Sequence, residues 1–217
     1  MEKNNKKRWV ELWQRAGRNG GEDAGDCAVV YAHLISHHRG KYEKSPRLYH
    51  TIDHIDRCLE EFDEVKGLLT EPNAVEMAIW FHDFFYDTYR KDNEKRSAGV
   101  AKDILKAASL PHAFGKRVTE LILVTKHDIP PADFDARIIA DIDLASLGYS
   151  EKIFDENTAK IRKEYDWVPK EIFNKGRIKI LKAFLDRPTI YLTQFFRDKY
   201  EAQARKNLAR AIAKLLE

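Results

Sequence analysis

Apolar residues recur at three- and four-residue intervals along almost the whole chain, and the alternating runs that mark half-buried strands are lacking. The pattern predicts an all-α protein, a bundle of about nine to ten helices. The first helix runs from Lys6 to Ala16 and gives way to a glycine-rich break at Gly17, Gly20, Gly21 and Gly25; the second runs from Asp26 to His38 and ends at Gly40. After the loop Ser45-Pro46-Arg47 comes a helix from Thr51 to Leu69, and Pro72, in a first-turn position, opens one reaching Asp83. Asp92 or Asn93 caps the next, which runs to Ser109, and Pro111 begins one ending near Lys126. Ile129-Pro130-Pro131 forces a loop, after which Asp135 to Leu147 is helical up to Gly148. Ser150 caps a helix toward Trp167, Pro169 starts another, and an alanine-rich helix spans Thr193 to Glu217.

Composition narrows what such a bundle can be. At 217 residues, 43% hydrophobic and 34% charged, the chain can bury one sizeable core. With 38 basic against 35 acidic residues the formal charge is only +3, too even for a nucleic-acid groove or a membrane-surface binder, so any anion site must be local. Cys27 and Cys58 form no CxxC and read as ordinary buried thiols. No window approaches the apolar length of a membrane span, and a soluble cytoplasmic protein is expected.

The chemistry is concentrated in three places. His82-Asp83 ends the apolar run Ala78-Ile79-Trp80-Phe81, and an imidazole and a carboxylate at the edge of a hydrophobic segment are costly to bury unless something pairs with them. Being adjacent, they lie about 100° apart on a helix and can reach one ion only near a helix end. His50 and His54 are four apart and share a helix face, although His33 and His37 have the same spacing without any such company. Asp141 and Asp143 lie inside an apolar helix, where a carboxylate needs a cationic partner, be it a metal, Arg or Lys. Two apart, they point to nearly opposite sides, so only one can join a given site.

The ordered set Tyr49-His50-Thr51-Ile52-Asp53-His54-Ile55, then Ala78-Ile79-Trp80-Phe81-His82-Asp83 with Tyr86-Asp87 and Asn93-Glu94-Lys95-Arg96-Ser97-Ala98, then Asp141-Ile142-Asp143-Leu144-Ala145-Ser146-Leu147-Gly148, resembles the HD superfamily of metal-dependent phosphohydrolases. It looks most like the small bacterial group of predicted HD phosphohydrolases, and the similarity extends through Arg162-Lys163-Glu164-Tyr165 to the C-terminal helix. The resemblance implies an HD-domain helical bundle forming one domain over residues 1–217, with the metal-site core at about 26–148 and the helices of 150–217 packed on it. It implies one divalent ion (Mn, Co, Fe, Ni, Zn or Mg) on His54, His82, Asp83 and Asp143, with Asp141 as the alternative fourth ligand or a catalytic partner to a ligand histidine.

The implied reaction is hydrolysis of a phosphate ester or phosphoanhydride in a small phosphorylated compound, a nucleotide first among the candidates, by metal-activated water. His50 matches the position of a proton donor to the leaving group, and Asp87 that of an acidic residue in the alarmone hydrolases, though Asp87 equally closes a turn. Lys126 and His127 are candidates for meeting substrate phosphate or a second metal. The glycine-rich signature of the cyclic-di-nucleotide phosphodiesterases and an alarmone synthetase domain are both missing, which lowers the weight of those substrates. The alternatives are an HD-fold di-iron oxygenase, for which only His112 and His127 are at hand between Asp83 and Asp143, and a non-catalytic metal-stabilised module binding a nucleotide or protein through the helix from Arg197 to Lys214. Neither a membrane nor a specific nucleic-acid partner is expected.

Overall fold

One helix has no polar face to turn toward water, and the rest are arranged around it. The computed structural model describes residues 2–17, 24–40, 46–128 and 130–217, and every regular element among them is helical. The helices are α1 (Glu2–Arg15), α2 (Ala24–His38), α3 (Ile52–Val65), α4 (Pro72–Phe81), α5 (Asn93–Ala107), α6 (His112–Val124), α7 (Phe134–Leu144), α8 (Glu151–Glu164), α9 (Lys170–Leu185), α10 (Gln194–Phe196) and α11 (Ala202–Leu216). A π-helical turn over Arg197–Glu201 joins α10 to α11, so the alanine-rich segment expected as one helix is one continuous path with a widened turn. With that path taken as one, there are ten helices among the described residues. Gly20, Gly21, Ser45 and Ile129 fall outside them, and Gly25 lies within α2 rather than in the break before it.

The central helix is α4. Every residue from Ala74 to Phe81 is buried, and α1, α3, α5, α6 and α7 all pack on it. A helix apolar all round belongs in the middle of a bundle. Its one charge, Glu76, is buried too, and two arginines of α1 reach in to it: Arg8 Nε to Oε1 and Arg15 Nη2 to Oε2, each at 2.7 Å. Trp9 and Tyr31 close on Trp80 with ring centroids 5.6 and 6.2 Å apart, tying α1 and α2 to the same helix. The buried apolar cluster continues without interruption from Trp9 to Ile212, because α9 packs on α11 and α11 on the turn Ala145–Gly148 that follows α7.

Helix ends follow the expected signals. Thr51 accepts from the Asp53 amide at 3.3 Å to start α3, and Asp133 from the Ala136 amide at 2.9 Å to start α7. Pro72 occupies the first turn of α4. The helix that was expected to reach Asp83 stops at Phe81, which leaves His82 and Asp83 just beyond its end. No described helix is long and apolar enough to cross a membrane.

Gly148 is set by a close approach: a Cβ there would lie 2.5 Å from the Cβ of Tyr200. Gly148→Ala should therefore lower stability by about 1–3 kcal/mol through overpacking, visible as a lower urea midpoint at unchanged m-value.

His38 is fully buried, with Nε2 donating to the Trp80 carbonyl at 3.2 Å and Nδ1 3.4 Å from Arg47 Nη1. Burial, reinforced by the Arg47 charge, holds its pKa down at about 3 against an ordinary 6.5. The unfolded chain protonates this ring where the folded one does not, so the stabilisation is complete above about pH 6.5 and is lost as pH falls toward 3. This residue should contribute a slope of at most about 1.4 kcal/mol per pH unit in that window. His38→Gln keeps an N–H for Trp80 and removes the titration; urea midpoints of the variant should fall less steeply from neutral to mildly acid pH than those of the parent, and equal slopes would refute the assignment.

Candidate metal centre

Three elements bring together four side chains of metal-ligand type. On α3, His54 lies one turn in from the Thr51 cap; His82 and Asp83 lie just past the end of α4; Asp143 lies in the last turn of α7. His54 Nε2 is 3.2 Å from His82 Nε2, 3.3 Å from Asp143 Oδ1 and 3.6 Å from Asp83 Oδ2. His82 Nε2 is 3.3 Å from Asp83 Oδ2 and 3.5 Å from Asp143 Oδ1. Ligands held at about 2.1 Å by one ion are separated by roughly 3.0 Å in an octahedron and roughly 3.4 Å in a tetrahedron, so these separations suit a shared cation.

Two further observations fit an ion. Asp83 Oδ2 is buried and has no hydrogen-bond partner, an orphaned acceptor that a cation would satisfy. The Nδ1 of His82 meets the Ile79 carbonyl at 2.9 Å, which places the ring proton there and leaves the Nε2 lone pair aimed at the centre. The electrostatics agree. Burial opposes a charge on His82, yet the carboxylates of Asp83 and Asp143 outweigh it and raise the pKa well above the ordinary value. Burial likewise opposes ionising Asp83 and Asp143, and the surrounding imidazoles, His82 for Asp83 and His127 with His54 for Asp143, override it and hold both well below the usual carboxylate range. The site draws positive charge in.

Cys58 belongs to the same neighbourhood. Its sulfur lies 3.8 and 3.7 Å from the two ring nitrogens of His54, and His54, Cys58, His82 and Asp143 form a buried group that could hold a metal ion. Burial and the nearby carboxylates keep its thiol protonated. Its place was signalled by the four-residue step from His54 along one helix face.

The two aspartates of α7 part company as the helical arithmetic requires. Asp143 joins the quartet, whereas Asp141 faces the other way, where Oδ1 accepts from the Leu192 amide at 2.7 Å and Oδ2 from the Thr193 amide and hydroxyl at 2.8 and 2.7 Å. Asp141, expected as an alternative ligand or catalytic partner, thus anchors the start of α10, with a pKa raised by burial. The reason is geometric: consecutive odd positions on a helix lie about 200° apart.

The remaining candidates are placed as follows. His50 Nδ1 meets Glu164 Oε2 at 2.7 Å, and its ring stacks on Tyr86 at 3.6 Å. Glu164, from the last turn of α8, also accepts the amides of Leu48, Tyr49 and His50 with Oε1, at 2.8, 2.8 and 3.1 Å, and so organises the segment entering α3. Burial would raise the Glu164 pKa, and the charge of His50 with these donors brings it below the ordinary value. His127 adopts a left-handed backbone, φ 59°, that sets its Nε2 2.8 Å from Asp143 Oδ2. Strain of that kind in a non-glycine residue is characteristic of functional sites. Lys126 is paired with Asp128 at the surface. Asp87 accepts the Tyr89 amide at 2.9 Å and closes a turn. His112 is exposed at the start of α6.

Arg47 ties these parts together. Its Nη1 donates to the carbonyls of Asp83 at 2.7 Å and His50 at 3.3 Å, and its Nη2 to that of Phe84 at 2.9 Å. The quartet opens onto a cavity of about 840 Å³ between the α4–α7 side and the helices α8 and α9, lined by His50, His82, Asp83, Lys126, His127 and Asp143 among others. Comparisons with protein-family models, with curated proteins and with solved structures found no match.

Two substitutions two residues apart should separate structure from ligation. After dialysis against Mn²⁺ and removal of free ion, Asp143→Ala should retain less than a tenth of the metal held by the parent, while Asp141→Ala should retain it and lose about 2–4 kcal/mol of stability through three stranded donors. Metal lost equally from both, measured by elemental analysis, would refute the division of roles.

Proposed function

We propose that this chain is a metal-dependent phosphohydrolase of the HD type, acting on a phosphate ester or phosphoanhydride of a small compound, with a nucleotide the first candidate. The observation that carries this reading is the set His54, His82, Asp83 and Asp143, in which the two imidazole nitrogens lie 3.2 Å apart and 3.3 to 3.6 Å from one oxygen of each aspartate, the Asp83 oxygen being orphaned, with His82, Asp83 and Asp143 lining a cavity large enough for a nucleotide. The ordered motifs of the sequence point to the same family. A divalent ion held there would lower the pKa of a bound water and neutralise phosphate charge.

The chain's own residues supply the rest. His50 lines the cavity with Nδ1 committed to Glu164, which leaves its other ring nitrogen to give a proton to a departing oxygen. Glu164, buried and held below the ordinary carboxylate range, fixes the orientation of that imidazole through the Nδ1 contact. Tyr86, stacked on the ring, fixes its plane. His127 holds one oxygen of Asp143, which orients the other toward the two histidines.

The test is elemental analysis of the purified protein together with a panel of phosphoesters and nucleotides in Mn²⁺ or Co²⁺. The expected result is about one ion per chain and a hydrolytic activity that falls at least about 100-fold in His82→Ala and in Asp83→Ala. His50→Gln should lower kcat with metal content unchanged. Activity indifferent to His82→Ala and Asp83→Ala would overturn the reading, and about two iron atoms per chain with oxygen consumption would favour the oxygenase alternative.

A further inference from the structure

The wall of the cavity opposite in sequence to the quartet is α9, which presents Phe173, Gly176, Arg177, Ile180, Leu181 and Phe184 to it. Among these apolar neighbours Arg177 stands alone in charge. No hydrogen bond or ion pair is made by its guanidinium among the described residues, and its Nε is shut off from solvent without a partner. The other cations of the cavity differ: Lys126 is paired with Asp128, and Lys91 is exposed. Arg162, fifteen residues earlier, gives its nitrogens to the carbonyls of Tyr165 and Val168, and Arg205 to Glu201 and three carbonyls, contacts of a kind that Arg177 lacks.

The groups electrostatically nearest Arg177 are the phenols of Tyr49, Tyr86 and Tyr165, and burial keeps all three in their neutral forms by raising their pKa values. They offer it no negative charge. Burial also lowers the pKa of Arg177, but a guanidinium stays charged at any pH the protein meets. Arg177 is half-buried, and a cation whose Nε is cut off from solvent with no partner favours an anion that can meet it.

We infer that Arg177 is the anion-binding residue of the cavity, taking an oxyanion of the phosphoryl group that the substrate brings. Its planar fork of donors suits two phosphate oxygens at once. The identity of the bond broken rests on the phosphohydrolase reading; the anion site does not, because it follows from the unpaired charge and the cavity.

The test uses the full metal-loaded chain and inorganic phosphate, titrated by calorimetry. Arg177→Met should weaken phosphate binding about 10- to 100-fold, with metal content and thermal midpoint unchanged, and Arg177→Lys should recover part of the loss. On p-nitrophenyl phosphate, if it is hydrolysed, Arg177→Met should raise KM more than it lowers kcat. Phosphate binding equal in parent and Arg177→Met, or no binding to the parent, would overturn the inference. So would Arg177→Lys and Arg177→Met both losing metal or stability, since that marks a structural role. A parent that binds phosphate through Arg177 and hydrolyses no phosphoester would sink the phosphohydrolase reading and leave the anion site standing.

Discussion

Two imidazole nitrogens 3.2 Å apart, with two carboxylate oxygens within 3.6 Å of one or both, form an arrangement that needs positive charge at its centre. Without it the facing lone pairs and the unpartnered oxygen of Asp83 repel or go unsatisfied, and buried groups of that kind are expensive. Much of the surrounding architecture serves to hold these atoms where chance would not. An all-apolar α4 fixes the position of the doublet, its end at Phe81 frees the next two residues from helical geometry, and α3 and α7 pack on it so that their ligands arrive from either side. A site assembled at the end of a core helix moves only if the core moves.

Buried polar contacts do the finer positioning. Arg47 clasps the carbonyls of His50, Asp83 and Phe84, binding the start of α3 to the turn after α4. Glu164 does the same from α8, with three amides on one oxygen and His50 on the other. Each is a charged group whose multiple hydrogen bonds offset its burial, and each converts a loop that would otherwise be free into a fixed wall of the cavity. The helices after residue 150 thus do more than cover the core, because the partner that sets the orientation of His50 comes from them.

Much of this could be read in the chain. Periodicity gave the helices, Pro72 gave the start of α4, and the impossibility of two adjacent ligands on a regular helix required the doublet to sit at an end, where Phe81 indeed leaves it. The two-residue step between Asp141 and Asp143 required one of them to face away, though periodicity alone left open which. The choice depends on what lies across from each, and Leu192 and Thr193 are about fifty residues further along the chain. Glu164, Arg47 and Arg177 were illegible for a related reason: a lone charged residue in an amphipathic helix or loop looks the same whether it meets water or a buried partner. Cys58 was the exception, since its four-residue step from His54 was visible but carried no weight until the helix was known to face the site. The widened turn at Arg197–Glu201 left no local signal, since its residues are ordinary helix formers.

Charge balance links the two ends of the cavity. Asp83 and Asp143 bring two negative charges, which a divalent cation would cancel; His50 and Glu164 cancel one another when the imidazole is protonated. On the opposite wall the Arg177 guanidinium has no hydrogen-bond or ion-pair partner among the described residues, and Glu94 lies near Asp83 and Asp143. An unpaired guanidinium lining the same cavity as a metal centre suits an anion with several oxygens, and a phosphoryl group has oxygens for both a cation and a bidentate guanidinium. The polar quartet and the arginine on the cavity-facing side of α9 thus line one space from residues 34 to 123 positions apart in the chain.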